Sequence, residues 1–187
     1  MKIDLPGGRY VVAVSGGVDS VVLLDLLAKQ NDNPQKDPNY QLPTTNYQLT
    51  VAHFDHGIRS DSAEDRQFVQ KLAKRYGLPF VYDRAELGAG ASEAAARKAR
   101  YDFLAKVKKA VSADAIITAH HEDDVLETII INWMRGTKSR GLSSLRSGTL
   151  VRRPLLGMTK KQIRSYARSQ KLQWCEDSTN ADETYLR

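Results

Sequence analysis

Residues 11–20 constrain the chain more than any other stretch. Val11-Val12-Ala13-Val14 is an apolar run of strand length, and it meets the small-residue turn Ser15-Gly16-Gly17-Val18-Asp19-Ser20. The turn opens into Val21-Val22-Leu23-Leu24, the start of an apolar segment long enough for a helix. A strand–turn–helix of this kind aims free backbone N–H groups from a helix N-terminus at one point, where they can hold a phosphate. Gly16 and Gly17 let the backbone bend and approach an anion, while Ser15 and Ser20 add hydroxyl groups. Asp19 is out of place beside phosphate unless it helps to hold Mg²⁺ or orients the helix start. The stretch is neither G-x-x-x-x-G-K-[ST] nor G-x-G-x-x-G. Gly-Gly alone would fit a tight turn with no ligand. The full SGGVDS, flush against a β-branched strand, favours phosphate.

Further along, apolar and polar segments alternate in a regular way. Strands are expected at Arg9–Val14, Leu49–Phe54, Pro79–Arg84 and Ala115–Ala119, with a short extended piece at Thr149–Val151. Helices are expected after the turn to about Gln30, from Ser62 to a Gly77 stop, over Ser92–Lys109, and from His120 to Met134. Thr159 with Gln162 reads as a capping box opening a last helix to about Gln170. This order predicts an α/β fold with an open parallel sheet and helices on both faces. The Asn- and Pro-rich Asn31–Tyr47, which repeats Asn-Tyr-Gln-Leu, reads as a surface loop, and Gly136–Gly148 as a Gly/Ser/Arg loop.

At 187 residues the chain suits one domain, taken here as 1–187. Apolar runs fall short of the roughly 20 residues that span a bilayer, and no signal-peptide pattern opens the chain, so no membrane partner is expected. The single cysteine, Cys175, fits a reducing, cytoplasmic setting and excludes a C-x-x-C site within this chain. Net charge is +6, and its distribution says more than its size. From Arg135 to Trp174 there are eleven Lys or Arg residues and no Asp or Glu. A solvated basic face is the plain alternative; nucleic acid is the better match. Lys160, Arg164, Arg168 and Lys171 are expected to share one helical face, opposite Ile163 and Tyr166.

Three groups of side chains carry potential chemistry. His53-Phe54-Asp55-His56 closes the second strand, where ligands bind in open α/β sheets. His120, Asp124 and Glu127 fall at i, i+4 and i+7, so a helix would point them one way; two carboxylates there can bind an ammonium group or a cation. Zinc is disfavoured, because H-E-x-x-H spacing is absent and no cysteine lies nearby, while a capped, solvated helix start remains the plain alternative. Arg97 and Arg100, one turn apart, suit phosphate oxygens, although alone they describe an ordinary basic amphipathic helix.

The SGGVDS stretch resembles the pyrophosphate-binding loop of the N-type ATP pyrophosphatases. Together with HFDHGIRSDSAED, ARKARYDFL, HHEDDVLETIIINWMRGT, RRPLL and WCEDSTN, in this order and spacing, it is similar to the tRNA(Ile)-lysidine synthetase family within them. The resemblance implies an adenine nucleotide alpha hydrolase-like, Rossmann-like fold. It also implies a ligase that uses ATP to adenylylate the wobble cytidine of a tRNA(Ile) with a CAU anticodon and joins it to L-lysine. On the matching motif positions, Ser15, Gly16, Gly17, Val18, Asp19 and Ser20 would hold the ATP phosphates, with Asp19 placing Mg²⁺. His53, Asp55 and His56 would line the nucleotide side, Arg97 and Arg100 would contact ATP or the transition state, and Asp124 and Glu127 would recognise lysine. Val125 stands where the family pattern has Gln, a change read as tolerated. The chain stops at Tyr185-Leu186-Arg187, inside a continuing motif, so its C-terminal end is expected to be truncated. Two alternatives remain beside this one. A tRNA thiolase would need paired cysteines, and a nucleotide-binding module without catalysis would leave the aligned carboxylates unused. The sequence does not set the oligomeric state; a homodimer is one arrangement open to it.

Overall fold

A computed structural model of the chain describes residues 3–31, 47–57, 62–85, 92–134 and 148–176. Its elements run β1 (Gly8–Ala13), α1 (Val18–Asn31), β2 (Tyr47–Asp55), α2 (Ser62–Arg75), β3 (Phe80–Arg84), α3 (Glu93–Ala110), β4 (Ala115–Ile117), α4 (Glu122–Met134), β5 (Val151–Arg152) and α5 (Lys160–Ser169). The five strands form one sheet in the order β3-β2-β1-β4-β5, and each neighbouring pair is parallel. β1 is central, with Val12 opposite Val51 on one side and Ile117 on the other. The chain winds outward from β1 through β2 and β3, then returns to β4 and β5. The strand order therefore reverses between β1 and β4, and a crevice outside the carboxyl ends follows from that reversal.

Side chains of β1 alternate between two cores, as the strand period of two requires. Val12 and Val14 pack with Leu24 of α1, Val69 and Ala73 of α2, and Ile163 and Ala167 of α5. Val11 packs on the other face with Ala52, Ile116 and the α3 residues Phe103, Leu104 and Val107. α1 is buried on nearly every side from Val18 to Ala28, because the sheet lies on one flank and α5 on another. Its one buried acid, Asp25, accepts hydrogen bonds from Tyr76 (2.6 Å) and Tyr166 (2.7 Å) and pairs with Lys29 at 2.9 Å. Burial, then the bond to Asp25, raises the pKa of both phenols, which stay protonated donors. α2 ends as expected at Gly77 (φ +64°): Leu78 N–H donates to Ala73 C=O and Gly77 N–H to Lys74 C=O, the six-residue closure that a left-handed residue permits.

Three boundaries differ from the sequence expectation. Tyr47 opens β2 instead of closing the loop before it, since its ring is buried and its hydroxyl donates to Leu5 C=O at 3.3 Å. The extended piece after residue 148 pairs with β4 as Val151–Arg152. α4 starts at Glu122, so His120 precedes the helix. Most of the Asn- and Pro-rich loop (32–46), the Gly/Ser/Arg loop with Arg135, Lys138, Arg140 and Arg146 (135–147), and the end of the WCEDSTN motif (177–180) lie outside the described residues.

Candidate active site

The crevice is organised on the turn between β1 and α1. The Ser20 hydroxyl accepts from the N–H groups of Ser15 (3.2 Å) and Gly16 (3.3 Å) and donates to Gly17 C=O (2.9 Å). Ser15 Oγ accepts from Gly17 N–H at 3.3 Å and lies 3.2 Å from Ser20 Oγ. Three consecutive amides thus converge on two hydroxyl oxygens, the donor arrangement that an anionic oxygen requires. Gly16 is needed twice over. Its φ is +103°, and a Cβ there would stand 3.3 Å from Cys175 Sγ, while Cys175 N–H donates to Gly16 C=O at 2.9 Å. Val18 turns its side chain into the core, so only its backbone faces the turn.

Around the turn lies a cavity of about 520 Å³, a size that suits a nucleotide. Ser15, Ser20, His53, Asp55, His56, Arg100, His120 and Asp124 line it, with Asp65 and Thr118. The ends of β1, β2 and β4 and the inner face of α3 therefore meet at one place. His53 Nδ1 is 2.9 Å from Val14 C=O, and burial lowers its pKa despite that bond, so it donates as a neutral imidazole. Burial, then Arg100, lowers the pKa of His56 as well, and its ring packs edge-on against Phe54. Asp55 is occupied with its own turn, accepting from Gly57 N–H at 2.8 Å. His120 Nδ1 lies 2.8 Å from Thr118 Oγ1, and burial, followed by Arg153, pushes its pKa down to about 4.

Not every expected residue reaches the cavity. Arg97 is exposed, and its guanidinium lies over the Tyr101 ring at 5.1 Å; Arg100, 5.5 Å from the same ring, lines the cavity. Glu127 is exposed on α4 and forms no part of the wall. The premise that His120, Asp124 and Glu127 share one helical face fails for His120, which stands outside the helix. His120 and Asp124 nonetheless meet at the cavity. Asp124 also holds the helix start, because its Oδ2 accepts from His121 N–H at 2.8 Å.

Two residues that the motif reading passed over stand beside the site, against Asp19, which like Gly16 and Gly17 is not itself part of the cavity wall. His121 is buried, with Nε2 3.7 Å from Asp19 Oδ1 and 3.6 Å from Asp124 Oδ2. The doubled histidine is the signal for it in the sequence. Lys160 places Nζ 2.5 Å from Asp19 Oδ2, and its backbone N–H donates to Asp123 Oδ2 at 2.8 Å. This corrects its assignment to an outward basic face: the first residue of α5 turns inward, while Arg164, Arg168 and Lys171 stay exposed. Asp19 Oδ1 is buried with no hydrogen-bond partner among the described residues. Such an oxygen suits a Mg²⁺ ion that takes one carboxylate together with substrate phosphates. No group of three or more metal-ligating side chains occurs among the described residues, so phosphate oxygens would have to supply the rest.

A glycine turn from strand to helix at the reversal point of a parallel sheet, ringed by Arg100 and Asp124, defines an α/β domain of the phosphate-loop class. The chain belongs to the PP-loop domain family, whose model matches residues 3–187. Among curated relatives, it is 41% identical over 184 residues to the tRNA(Ile)-lysidine synthase of Thermus thermophilus, covering 95% of this chain and 33% of that protein. It is 37% identical to the enzyme of the same name from Geobacter sulfurreducens, covering 97% of this chain and 38% of the relative. The chain thus spans about a third of the length of these relatives. Among solved structures, the U34-tRNA thiolase NcsA of Methanococcus maripaludis superposes with a TM-score of 0.72 at 18% identity, over 92% of this chain and 60% of that one. The NH3-dependent NAD synthetase of Campylobacter jejuni gives 0.53 at 13% identity, over 96% and 69%. Both share the fold. The thiolase structure holds a [4Fe-4S] cluster, whereas this chain has one cysteine. No helix among the described residues is long and apolar enough to cross a membrane.

Proposed function

We propose that this chain is the ATP-using catalytic part of a cytoplasmic tRNA(Ile)-lysidine synthetase. The observation that carries this reading is the meeting of Ser15 and Ser20 of the glycine turn, Arg100 and Asp124 around one cavity of about 520 Å³. Adenylylation followed by amine attack asks for these groups around one space. ATP phosphates lie on the Ser15–Ser20 turn, with Asp19 as the carboxylate for Mg²⁺, and the nucleoside runs along the His53–His56 end of β2. The C2 oxygen of the wobble cytidine of a tRNA(Ile) with a CAU anticodon attacks the α-phosphorus, and the bond to pyrophosphate breaks. Arg100 offsets the charge that builds on the phosphate oxygens; Arg97, one turn away and outside the wall, would have to leave the Tyr101 ring to add to it. Asp124, on the cavity wall, holds L-lysine by its ammonium group; Glu127, three residues on and outside the wall, would have to turn inward to join it. The ε-ammonium first gives up a proton to solvent; the free amine attacks C2, AMP departs with the oxygen, and the proton left on the new C–N nitrogen is released to solvent.

Neutral His53, His56 and His120 suit this site, since none adds a positive charge that would repel the lysine nucleophile. A thiolase shares the fold, but a cluster held by several cysteine thiolates has no counterpart in a chain with one cysteine. The test is pyrophosphate release from ATP by the purified chain, with unmodified tRNA(Ile) CAU and without lysine. Release that requires the tRNA, followed by AMP and lysidine formation once lysine is added, is the expected result. ATP cleavage that ignores the tRNA would overturn the reading.

A further inference from the structure

Lys160 and Asp19 stand 141 positions apart in the chain, yet Lys160 Nζ lies 2.5 Å from Asp19 Oδ2. The root of Lys160 is fixed. Its N–H is held by Asp123, Thr159 and Gln162 cap the helix reciprocally, and α5 is seated on the core through Ile163 and Ala167. A lysine's four-carbon stem is flexible, and its ammonium is a compact charge with three donors. Asp19, for its part, offers Oδ2 to the lysine while Oδ1 is buried with no hydrogen bond among the described residues, His121 Nε2 standing 3.7 Å away. A carboxylate beside a triphosphate needs a cation between them, and the turn Ser15–Ser20 contains no lysine of its own.

We propose that Lys160 and a divalent metal are alternative partners of Asp19. In the nucleotide-free chain Lys160 neutralises the carboxylate; when Mg·ATP binds, Lys160 releases Asp19 to the metal and moves to the phosphate oxygens on the neighbouring turn. It is thus the lysine of this phosphate site, supplied by α5 and not by the loop. The inference rests on reading residues 15–20 as the ATP phosphate loop.

Competition and phosphate binding predict opposite signs, which a structural role would not. Mn²⁺, which takes the same oxygen ligands as Mg²⁺, can be titrated by electron paramagnetic resonance without nucleotide. In Lys160→Met, Mn²⁺ should bind about five- to tenfold more tightly, because a half-buried competing cation is gone. Mg·ATP should bind the same variant at least tenfold more weakly by calorimetry. Lys160→Arg should stay near wild type in Mn²⁺ affinity, and Lys161→Met, one exposed position along, should change neither. Circular dichroism and a thermal melt establish that each variant is folded. Mn²⁺ affinity that is unchanged or weaker in Lys160→Met overturns the proposal, as does the absence of Mn²⁺ binding in both proteins. Failure of the wild-type chain to bind Mg·ATP would instead fell the phosphate-loop reading, and with it the transfer to phosphate.

Discussion

A neutral imidazole at position 120 has a consequence for the whole chain's response to acid. Burial, then Arg153, holds the pKa of His120 at about 4, against an ordinary value of 6.5, while Asp124 pulls weakly the other way. The unfolded chain takes up a proton below about 6.5 and the folded chain refuses it until about 4. The stability contributed is therefore complete above pH 6.5 and is lost progressively as the pH falls toward 4. His53 and His56 are shifted in the same direction, so they add to the loss. His120→Gln should flatten the fall in urea midpoint between pH 6.5 and 4 without abolishing it. Parallel curves for the two proteins would show that His120 does not titrate in this way.

Among the elements, α1 is the one on which the rest is assembled, and Asp25 is where three helices are tied to each other. Tyr76 follows α2, Tyr166 belongs to α5, and both donate to an acid that is 1% exposed on α1. Asp25→Ala leaves two hydroxyls without their acceptor and Lys29 with Gln170 but no carboxylate, which should cost about 3 kcal/mol in urea denaturation. Asp25→Asn keeps an acceptor oxygen and should lose clearly less. The pairing also matters to the site, because α5 carries Lys160: loosening its seat on α1 should weaken ATP binding in step with stability. A loss below about 1 kcal/mol in Asp25→Ala would show that water replaces the bridge at little cost.

At the scale of the molecule, the basic tract divides into two parts with different work. Arg153 is buried and Lys160 engages Asp19, whereas Arg164, Arg168 and Lys171 lie exposed on α5 and its end. If the exposed part grips tRNA phosphates, Arg164→Glu with Arg168→Glu should weaken tRNA binding at low salt. The same change should lower the slope of log affinity against log salt by roughly one to two. The loss should be similar for cognate and non-cognate tRNA, since phosphate contacts position without reading sequence. ATP affinity should be unchanged, as neither residue lines the cavity. Binding as tight as wild type at low salt would mark this face as a solvated surface.

The strand–turn–helix, the alternation of strands and helices, the Gly77 stop and the Thr159–Gln162 cap were all legible in residue order. Each depends on interactions within a few positions: periodicity of two or 3.6, glycine's access to positive φ, a side chain reaching its own helix start. The cavity-lining residues at the ends of β1 and β2 were legible for the same reason, because parallel strands present their carboxyl ends together. Tertiary structure alone decided which members of a cluster face inward. His121 and not only His120 joins the site because α4 begins at Glu122, and Glu127 turns outward from it. Lys160 reaches Asp19 because Ile163 and Ala167, buried on α1's side of the sheet, fix the angle at which α5 presents its first residue. A contact between residues 141 positions apart follows from how two buried faces pack, and no local pattern in either segment records it.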